Sequence, residues 1–327
     1  MNINTTPEYY FKISLKSSLK NAGIYRKIID KVQDIDTHFI KSESDNSEWR
    51  FKCYNRKKFI KIREHYNIND EDYIKSLCNQ DLILGKKYEK SGATFWKTND
   101  KKYLIKTVTA RECKFLRQIL KRYSNYIRTN NTYLVRIYGM YRITLSNTDI
   151  RFIIMNNIFE YDIPLNHIYD LKGTTEERFA DENGIELKDI NFIKRKNSFY
   201  FDKTDYSEFL TTMKKDSLFL SKELNIMDYS FLVSIIEFNT SDHIPKEMYN
   251  KNNIKFNYDD ELIKIQIFGI IDILQEWTTW KKCCSLYKKF YYRCLCCNQR
   301  VEIDSEKPNI YHKRFIEFIE NNTKSNI

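Results

Sequence analysis

Apolar residues recur every three to four positions between residues 12 and 40, at Ile24, Ile28, Ile29, Val32 and Ile35. This spacing predicts a helix that ends in the polar KSESDNSE. The pattern then changes. WRFKCY alternates and predicts a short strand, KFIKIREHY predicts a helix, and NINDEDYIKSLC predicts a second helix capped by Asn69 or Asp70. ATFWKTNDKKYLIKTVT reads as two strands about a turn at Asn99–Asp100, and ARECKFLRQILKRYSNYI as an amphipathic helix. YLVRIYGMYRITL and DIRFIIMNNIF read as sheet strands. After about residue 157 the elements become mixed. HIYDLKGTTEERFA precedes a helix in YSEFLTTMKKDSLFLSKEL, and a polar connection at 240–260 leads to the strand-like LIKIQIFGIIDIL. A basic, cysteine-rich stretch follows, then the amphipathic helix IYHKRFIEFIEN and a frayed NNTKSNI. Strands with few helices followed by mixed elements predict an α+β fold in two lobes. The first has an antiparallel sheet with helices, and the second is a smaller mixed α/β lobe. The expected boundaries are a helical extension at 1–47, a first lobe at 48–157 and a second at 158–327.

One interruption of the apolar pattern raises a chemical question. LNIMDYSFLVSI, residues 224–235, carries a single ionisable side chain, Asp228, among Leu, Ile, Met, Phe and Val. An unpaired buried carboxylate is costly, so it requires a hydrogen-bonded partner, a cation or a task. Taken alone, the simplest reading is an Asp at a turn or helix start, bonded to backbone N–H groups. Other residues change that balance. Asp272 lies in FGIIDILQEW, again inside a β-branched run. Lys106 lies in YLIKTVT, a strand followed by the helix at 110–127. Asp170 and Lys172 lie in YDLKG, where Gly173 would let backbone approach a ligand closely. Ser91, Gly92 and Ala93 form a small-residue turn between strands in EKSGATFW. Phosphoryl transfer needs such a set: a lid over phosphates, lysines on their oxygens, a metal-holding Asp, and an Asp for the incoming hydroxyl.

Composition narrows the partners. The 327 residues carry a net charge of +11, which points to nucleic acid, nucleotide phosphates or an anionic membrane. Gly and Pro are scarce, at 7 and 4, against 24 Tyr and 21 Phe, so a packed core rather than disorder is expected. No apolar run approaches the roughly 20 residues of a spanning helix, and MNINTTPEYYFK matches neither a signal peptide nor a myristoylation site. Membrane contact is therefore expected to be peripheral. Without a secretory signal the eight cysteines read as reduced thiols of an intracellular protein. Five fall within 283–297. The C-x-x-C from Cys294 to Cys297 raises zinc, but the adjacent pairs 283/284 and 296/297 depart from the usual knuckle. Reactive or acylatable thiols, or plain loop residues, are the alternatives.

The order of lid, lysine, helix, strands and two aspartates is similar to that of protein kinases, yet their signature spellings are absent. The chain resembles instead the phosphatidylinositol phosphate kinases. The stretches that carry the resemblance are EDYIKSLC, SGATFW, YLIKTV, FLRQIL, IRFIIMNNIF, YDLKGTTEERFA, LNIMDYSFLVSI, GIIDILQ and YHKRFIEFI, in the family's order over roughly residues 48–320. The resemblance implies a two-lobed kinase-like fold, with the active site in a cleft beside a flat basic face, and transfer of the ATP γ-phosphate to an inositol lipid with Mg²⁺. It implies that Lys106 contacts ATP phosphates, Lys172 handles phosphate as a second lysine, Asp228 is the catalytic Asp and Asp272 holds Mg²⁺. Met155, Asn156 and Asn157 lie where the family's hinge meets adenine, and Glu112 is placed to pair with Lys106. Arg178 matches a lipid-phosphate contact, which suits a guanidinium because it grips phosphate bidentately.

The stretch KKCCSLYKKFYYRCLCCNQR, 281–300, holds Lys281, Lys282, Lys288, Lys289, Arg293 and Arg300 and no acid, interleaved with Tyr287, Phe290, Tyr291, Tyr292 and Leu295. Basic and aromatic residues together suit single-stranded nucleic acid. They also suit an anionic bilayer, and the stretch lies where the family's activation loop does, about 277–308 here. An anionic membrane and a phosphoinositide are thus the expected partners, with no nucleic acid. The expected place is the cytosolic face of a membrane, the plasma membrane first. Some relatives dimerise through the first lobe. Relatives acting on the 4-phosphate lipid carry Glu soon after the paired lysines, and those acting on the 5-phosphate lipid carry Ala. Here Cys284 takes that place. The basic, hydroxyl-rich loop favours the 4-phosphate lipid as substrate.

Overall fold

The computed structural model describes residues 35–41, 48–87, 92–145, 148–165, 167–239, 244–251, 253–258, 262–279, 281–283, 285 and 306–325. The chain separates into two compact units, one of residues 1–129 and 136–160 and the other of 130–135 and 161–327. The second, expected to be the smaller, takes the larger share of the chain. Both mix helices with sheets that are mainly antiparallel.

The first unit is built on a seven-stranded antiparallel sheet. Its strands are β1 (Ile35–Lys41), β2 (Glu48–Tyr54), β3 (Ile83–Lys87), β4 (Thr94–Lys97), β5 (Tyr103–Thr107), β6 (Ile137–Leu145) and β7 (Thr148–Asn156), in the order β1-β2-β6-β7-β5-β4-β3. Helices α1 (Arg56–His65), α2 (Asp70–Cys78) and α3 (Ala110–Thr129) accompany it. The predicted helix at 12–40 fails at its end. Ile35, Thr37 and Phe39 belong to β1, where the alternation of IDTHFIK finds a full antiparallel register against β2. Residues 12–34 of that expectation lie outside the described residues. The α2 cap is Asn69, whose side chain accepts the Glu71 N–H at 2.7 Å. α3 buries Leu116, Ile119, Leu120, Tyr123 and Ile127 at helical spacing, so it packs by one apolar face.

The second unit holds a five-stranded sheet of β8 (Ile168–Leu171), β9 (Glu186–Lys188), β11 (Ser230–Asn239), β12 (Ile254–Tyr258) and β13 (Leu262–Ile271), ordered β12-β13-β11-β8-β9. Only β8 and β9 pair in parallel within it. A separate parallel pair joins β10 (Phe199–Phe201) to β14 (Thr323–Ser325). Helices α4 (Asp189–Lys194), α5 (Lys203–Leu218) and α6 (Pro308–Asn321) complete it, with a π-helical turn at Phe219–Glu223 after α5. Two expectations are corrected here. The polar connection at 240–260 contains β12, whose five residues complete a register on β13. The C-terminal residues 323–325 are not frayed, because β10 gives them a partner and the Thr323 hydroxyl donates to Ile319 O at 2.6 Å.

The core of the second unit is aromatic. Phe209 stacks on Phe201 at 4.4 Å between centroids and meets Phe199, Phe231 and Phe268 edge-on or tilted. Each such ring removed from water contributes about 1.5–3 kcal/mol. Beside it, α5 and α6 are joined through Ser217, whose hydroxyl lies 2.6 Å from the Tyr229 hydroxyl and 2.7 Å from His312 Nδ1. Burial, aided by Lys222 and Lys313, lowers the His312 pKa below its ordinary value. The unfolded chain therefore binds more protons than the native one as pH falls through the ordinary histidine range, and stability declines there. Thermal melts are expected to show Tm falling on acidification from about pH 7 to 5.5, with a smaller fall in His312→Gln. An identical pH slope in that variant would show that His312 does not contribute.

Candidate active site

Three strand ends converge at one end of the five-stranded sheet. Ser230 of β11 pairs with Ile271 of β13, so Asp228, just before β11, and Asp272, just after β13, flank the same end of that pair. Leu171 of β8 pairs with Phe231, which brings Lys172 to the same place. The parallel pairing of Asp170 with Lys188 adds Asp189, the first residue of α4. The segments preceding Asp228 and following Asp272 are also bonded to one another. Met227 N–H donates to Gln275 O at 3.1 Å, and Trp277 N–H to Asn225 O at 3.0 Å.

Both aspartates have left-handed backbones, with φ of 64° at Asp228 and 60° at Asp272. That conformation costs an L-residue about 1–2 kcal/mol and is best tolerated by Asn and Asp. At Asp228 it reconciles the sequence pattern with chemistry. Met227 and Tyr229 are fully buried on either side, while the Asp228 side chain keeps 20% of its exposure. Its Oδ1 receives the Lys172 ammonium at 2.5 Å. Burial works against the Lys172 charge, but Asp228 and Asp170 outweigh it and raise its pKa, so it is an ammonium at neutral pH.

Behind this pair lies a second layer of charge. Arg178 donates through Nε to Asp189 Oδ2 at 2.7 Å and through Nη2 to Asp170, reaching its Oδ1 at 2.7 Å and also its backbone oxygen. Burial would raise the Asp170 pKa, yet Arg178 and Lys172 more than offset it and hold the carboxyl below its usual range. Asp170 is therefore a fixed anion here, not a proton donor. Arg178 is buried and has two of its nitrogens committed to these carboxylates. Through Nε and Nη2 it ties the end of β8 to the start of α4.

The first unit carries the other expected residues. Lys106 sits on β5 between Phe95 of β4 and Ile153 of β7, with its ammonium 5.3 Å from the centre of the Phe95 ring. Gly92 has φ 63° with open space where a Cβ would stand, so its need for glycine is conformational. Ala93 is buried and immediately precedes β4. Ser91 lies outside the described residues. Glu112 does not meet Lys106. Its Oε2 accepts the N–H and hydroxyl of Thr109 at 2.7 and 2.8 Å while Glu112 N–H donates to the Thr109 hydroxyl at 3.1 Å, a reciprocal cap that begins α3. Met155 is buried at the end of β7. Asn156 accepts the Arg136 N–H at 2.7 Å, and the Asn157 side chain donates to Lys101 O and Phe159 O, both at 2.8 Å. The Asn156 amide thus holds the chain just before β6, and the Asn157 amide shapes the chain after β7.

Lys281 and Lys282 lie on a helical turn that starts at Thr278, with Lys282 N–H donating to Thr278 O at 2.9 Å. Cys284, Lys288, Lys289, Phe290, Tyr291 and the C-x-x-C at 294–297 lie outside the described residues. The residue that sequence reasoning missed is Asp189. Its only signal was an acid opening a short helix after LK, which is also how an ordinary helix start looks.

The class defined so far is an α+β protein with a lysine–aspartate contact and a second aspartate gathered at strand ends. Comparison with known proteins makes this specific. The family model described as Phosphatidylinositol-4-phosphate 5-Kinase matches residues 77–264 and 240–322, and the chain belongs to that family. It is 36% identical over 208 residues to phosphatidylinositol 5-phosphate 4-kinase type-2 alpha of Gallus gallus, covering 62% of this chain and 51% of that protein. It is 29% identical over 334 residues to the Homo sapiens protein of the same name, covering 87% and 81%. It is 28% identical over 340 residues to phosphatidylinositol 4-phosphate 5-kinase type-1 beta of Gallus gallus, covering 87% and 62%. The chain thus spans about half the length of the first of these relatives.

Proposed function

We propose that this protein is a lipid kinase that transfers the γ-phosphate of ATP to a phosphatidylinositol monophosphate, with phosphatidylinositol 4-phosphate as substrate and the 4,5-bisphosphate as product. The observation that carries the reading is the Lys172–Asp228 contact at the strand ends shared with Asp272, in a chain of this family. Asp228 accepts the proton of the attacking inositol hydroxyl and orients its oxygen. Lys172 neutralises charge on the transferred group, and Lys106 holds phosphate oxygens of the nucleotide. Met155, Asn156 and Asn157 line the adenine end, and Gly92 with its neighbours covers the phosphates.

Mg²⁺ suits these residues. No group of three or more His, Cys, Asp and Glu side chains forms a cage among the described residues. Mg²⁺ is commonly held by one or two carboxylates with substrate phosphates, and Asp272 offers such a carboxylate on a fixed turn. When bound, the ion supplies charge neutralisation to the phosphate oxygens. No described helix is long and apolar enough to cross a membrane. The proposal places the protein peripherally on the cytosolic face of an anionic membrane, in contact with its lipid substrate and not with nucleic acid. It adds a homodimer through the first unit.

A second reading takes phosphatidylinositol 5-phosphate as substrate. What favours it is the 36% identity to a 5-phosphate 4-kinase. Incubation with labelled ATP, Mg²⁺ and vesicles bearing one monophosphate isomer at a time separates the readings. Labelled bisphosphate from the 4-phosphate vesicles is expected. Preference for the 5-phosphate isomer replaces the substrate but keeps the lipid kinase. Label on protein alone overturns the kinase reading for lipids.

A further inference from the structure

Asp189 is fully buried, and both of its oxygens serve the loop that follows β8. Oδ1 accepts the N–H of Lys172 at 2.9 Å and of Gly173 at 2.8 Å, while Oδ2 accepts Arg178 Nε at 2.7 Å. Charge-assisted bonds of this kind are roughly twice as strong as neutral ones, and the Arg178 charge offsets the burial of the anion. The same loop is held from its other side. Gly173 has φ 70°, and a Cβ there would stand 3.1 Å from both Arg314 O and Phe315 Cα of α6. The backbone of residues 172–173 is thus clamped between a carboxylate and a helix, and the side chain that leaves this clamp is the one that touches Asp228.

We propose that Asp189 is a positioning residue for phosphoryl transfer: by accepting the N–H groups of Lys172 and Gly173 it fixes the loop that delivers the Lys172 ammonium to the Asp228 carboxylate. The proposal rests on the lipid kinase reading above. Asp189 touches neither nucleotide nor lipid in this scheme. It acts through Lys172, and a small displacement at this distance from the chemistry is enough, since a shift of about 1 Å can reduce turnover on the order of 100-fold.

A buried carboxylate elsewhere in the same unit provides the comparison. Asp216 is also fully buried, and it accepts the Thr132 hydroxyl and the Tyr133 N–H, each at 2.7 Å. In both positions Asn keeps one acceptor and replaces the other oxygen with a donor. At Asp189 that donor must face either Arg178 or the two backbone N–H groups.

The test measures kcat, KM for ATP and Tm in the full chain for Asp189→Asn, Lys172→Met, their combination and Asp216→Asn. Vesicles carrying the monophosphate isomer that the wild-type protein uses serve as substrate. Asp189→Asn is expected to lose roughly 10- to 100-fold in kcat with KM for ATP unchanged. Adding it to Lys172→Met is expected to cost nothing further, because the lysine it positions is already gone. Asp216→Asn should lower Tm yet keep kcat below its melting temperature. If Asp189→Asn melts below the assay temperature, Gly173→Ala displaces the same loop from the α6 side and should give the same loss, again absent in the Lys172→Met background. Full kcat in folded Asp189→Asn, or a loss that multiplies with that of Lys172→Met, overturns the proposal while wild-type turnover leaves the kinase reading standing. A wild-type protein inactive on every isomer defeats the kinase reading itself.

Discussion

Asp228→Asn is expected to lower turnover at least 100-fold while ATP still binds. The substitution is nearly isosteric and keeps an acceptor for the Lys172 ammonium, so the left-handed turn between buried Met227 and Tyr229 should persist. What it removes is the anion that, in the proposed mechanism, takes the hydroxyl proton. A contact made only in the transition state is typically worth about 3 kcal/mol or more, which sets the size of the loss. Asp272→Asn and Lys106→Met should also abolish turnover, but by different routes. The first weakens Mg²⁺ binding, and the second misplaces the nucleotide phosphates. Nucleotide titration in the presence of Mg²⁺ should therefore separate the three variants, with only Asp228→Asn binding ATP as the wild-type protein does. Near-normal turnover in Asp228→Asn would return this residue to the role its sequence first suggested, an Asp that merely suits a turn.

Much of the site is legible along the chain because it is made of strand ends. Asp228, Asp272 and Lys172 each interrupt or follow an apolar run, and the register of β8, β11 and β13 then brings those interruptions together. Alternation and apolar runs encode such registers directly. The second layer is not encoded this way. Arg178 and Asp189 are eleven residues apart, and they meet because β9 pairs in parallel with β8 and turns at once into α4. A three-residue strand such as β9 carries too few positions for a period to show. β14 is hidden for the same reason, being the three polar residues Thr323–Ser325. β12 does alternate, with Lys255 and Asn257 set between Ile254, Phe256 and Tyr258, but this short run lies inside a polar stretch that masks it. Glu112 shows the opposite case. It lies in the helix after the Lys106 strand, where pairing was expected, but the reciprocal bonds with Thr109 require no long-range contact and satisfy the first turn of α3 locally. A free helix end is a fixed demand of the backbone, and a nearby carboxylate meets it first.

Reversing the charge of Lys281 and Lys282 together, to Glu, is expected to remove activity on anionic vesicles while ATP binding is unchanged. These lysines begin the stretch that carries six cations and no acid over residues 281–300, and the described part of it places Lys281 and Lys282 on a turn with Lys282 exposed. The turn is anchored to the segment that leads into Asp228, because Trp277 N–H donates to Asn225 O at 3.0 Å and Asn225 Nδ2 donates to Trp277 O at 3.1 Å. A basic side chain near an anionic leaflet contributes about 1 kcal/mol, so exchanging two lysines for two glutamates removes two attractions and adds two repulsions. The sum, about 4 kcal/mol, corresponds to roughly a thousandfold loss of vesicle affinity. Electrostatic docking also predicts that wild-type activity falls as salt is raised, since the Debye length shortens from about 10 Å at 0.1 M to about 3 Å at 1 M. Sedimentation with vesicles of neutral lipid, and of neutral lipid mixed with an anionic one, measures the docking directly. Nucleotide titration of the same variant measures the site. Binding that survives the reversal on anionic vesicles would move the membrane contact away from these two lysines, and an accompanying loss of ATP binding would show that they support the catalytic segment instead.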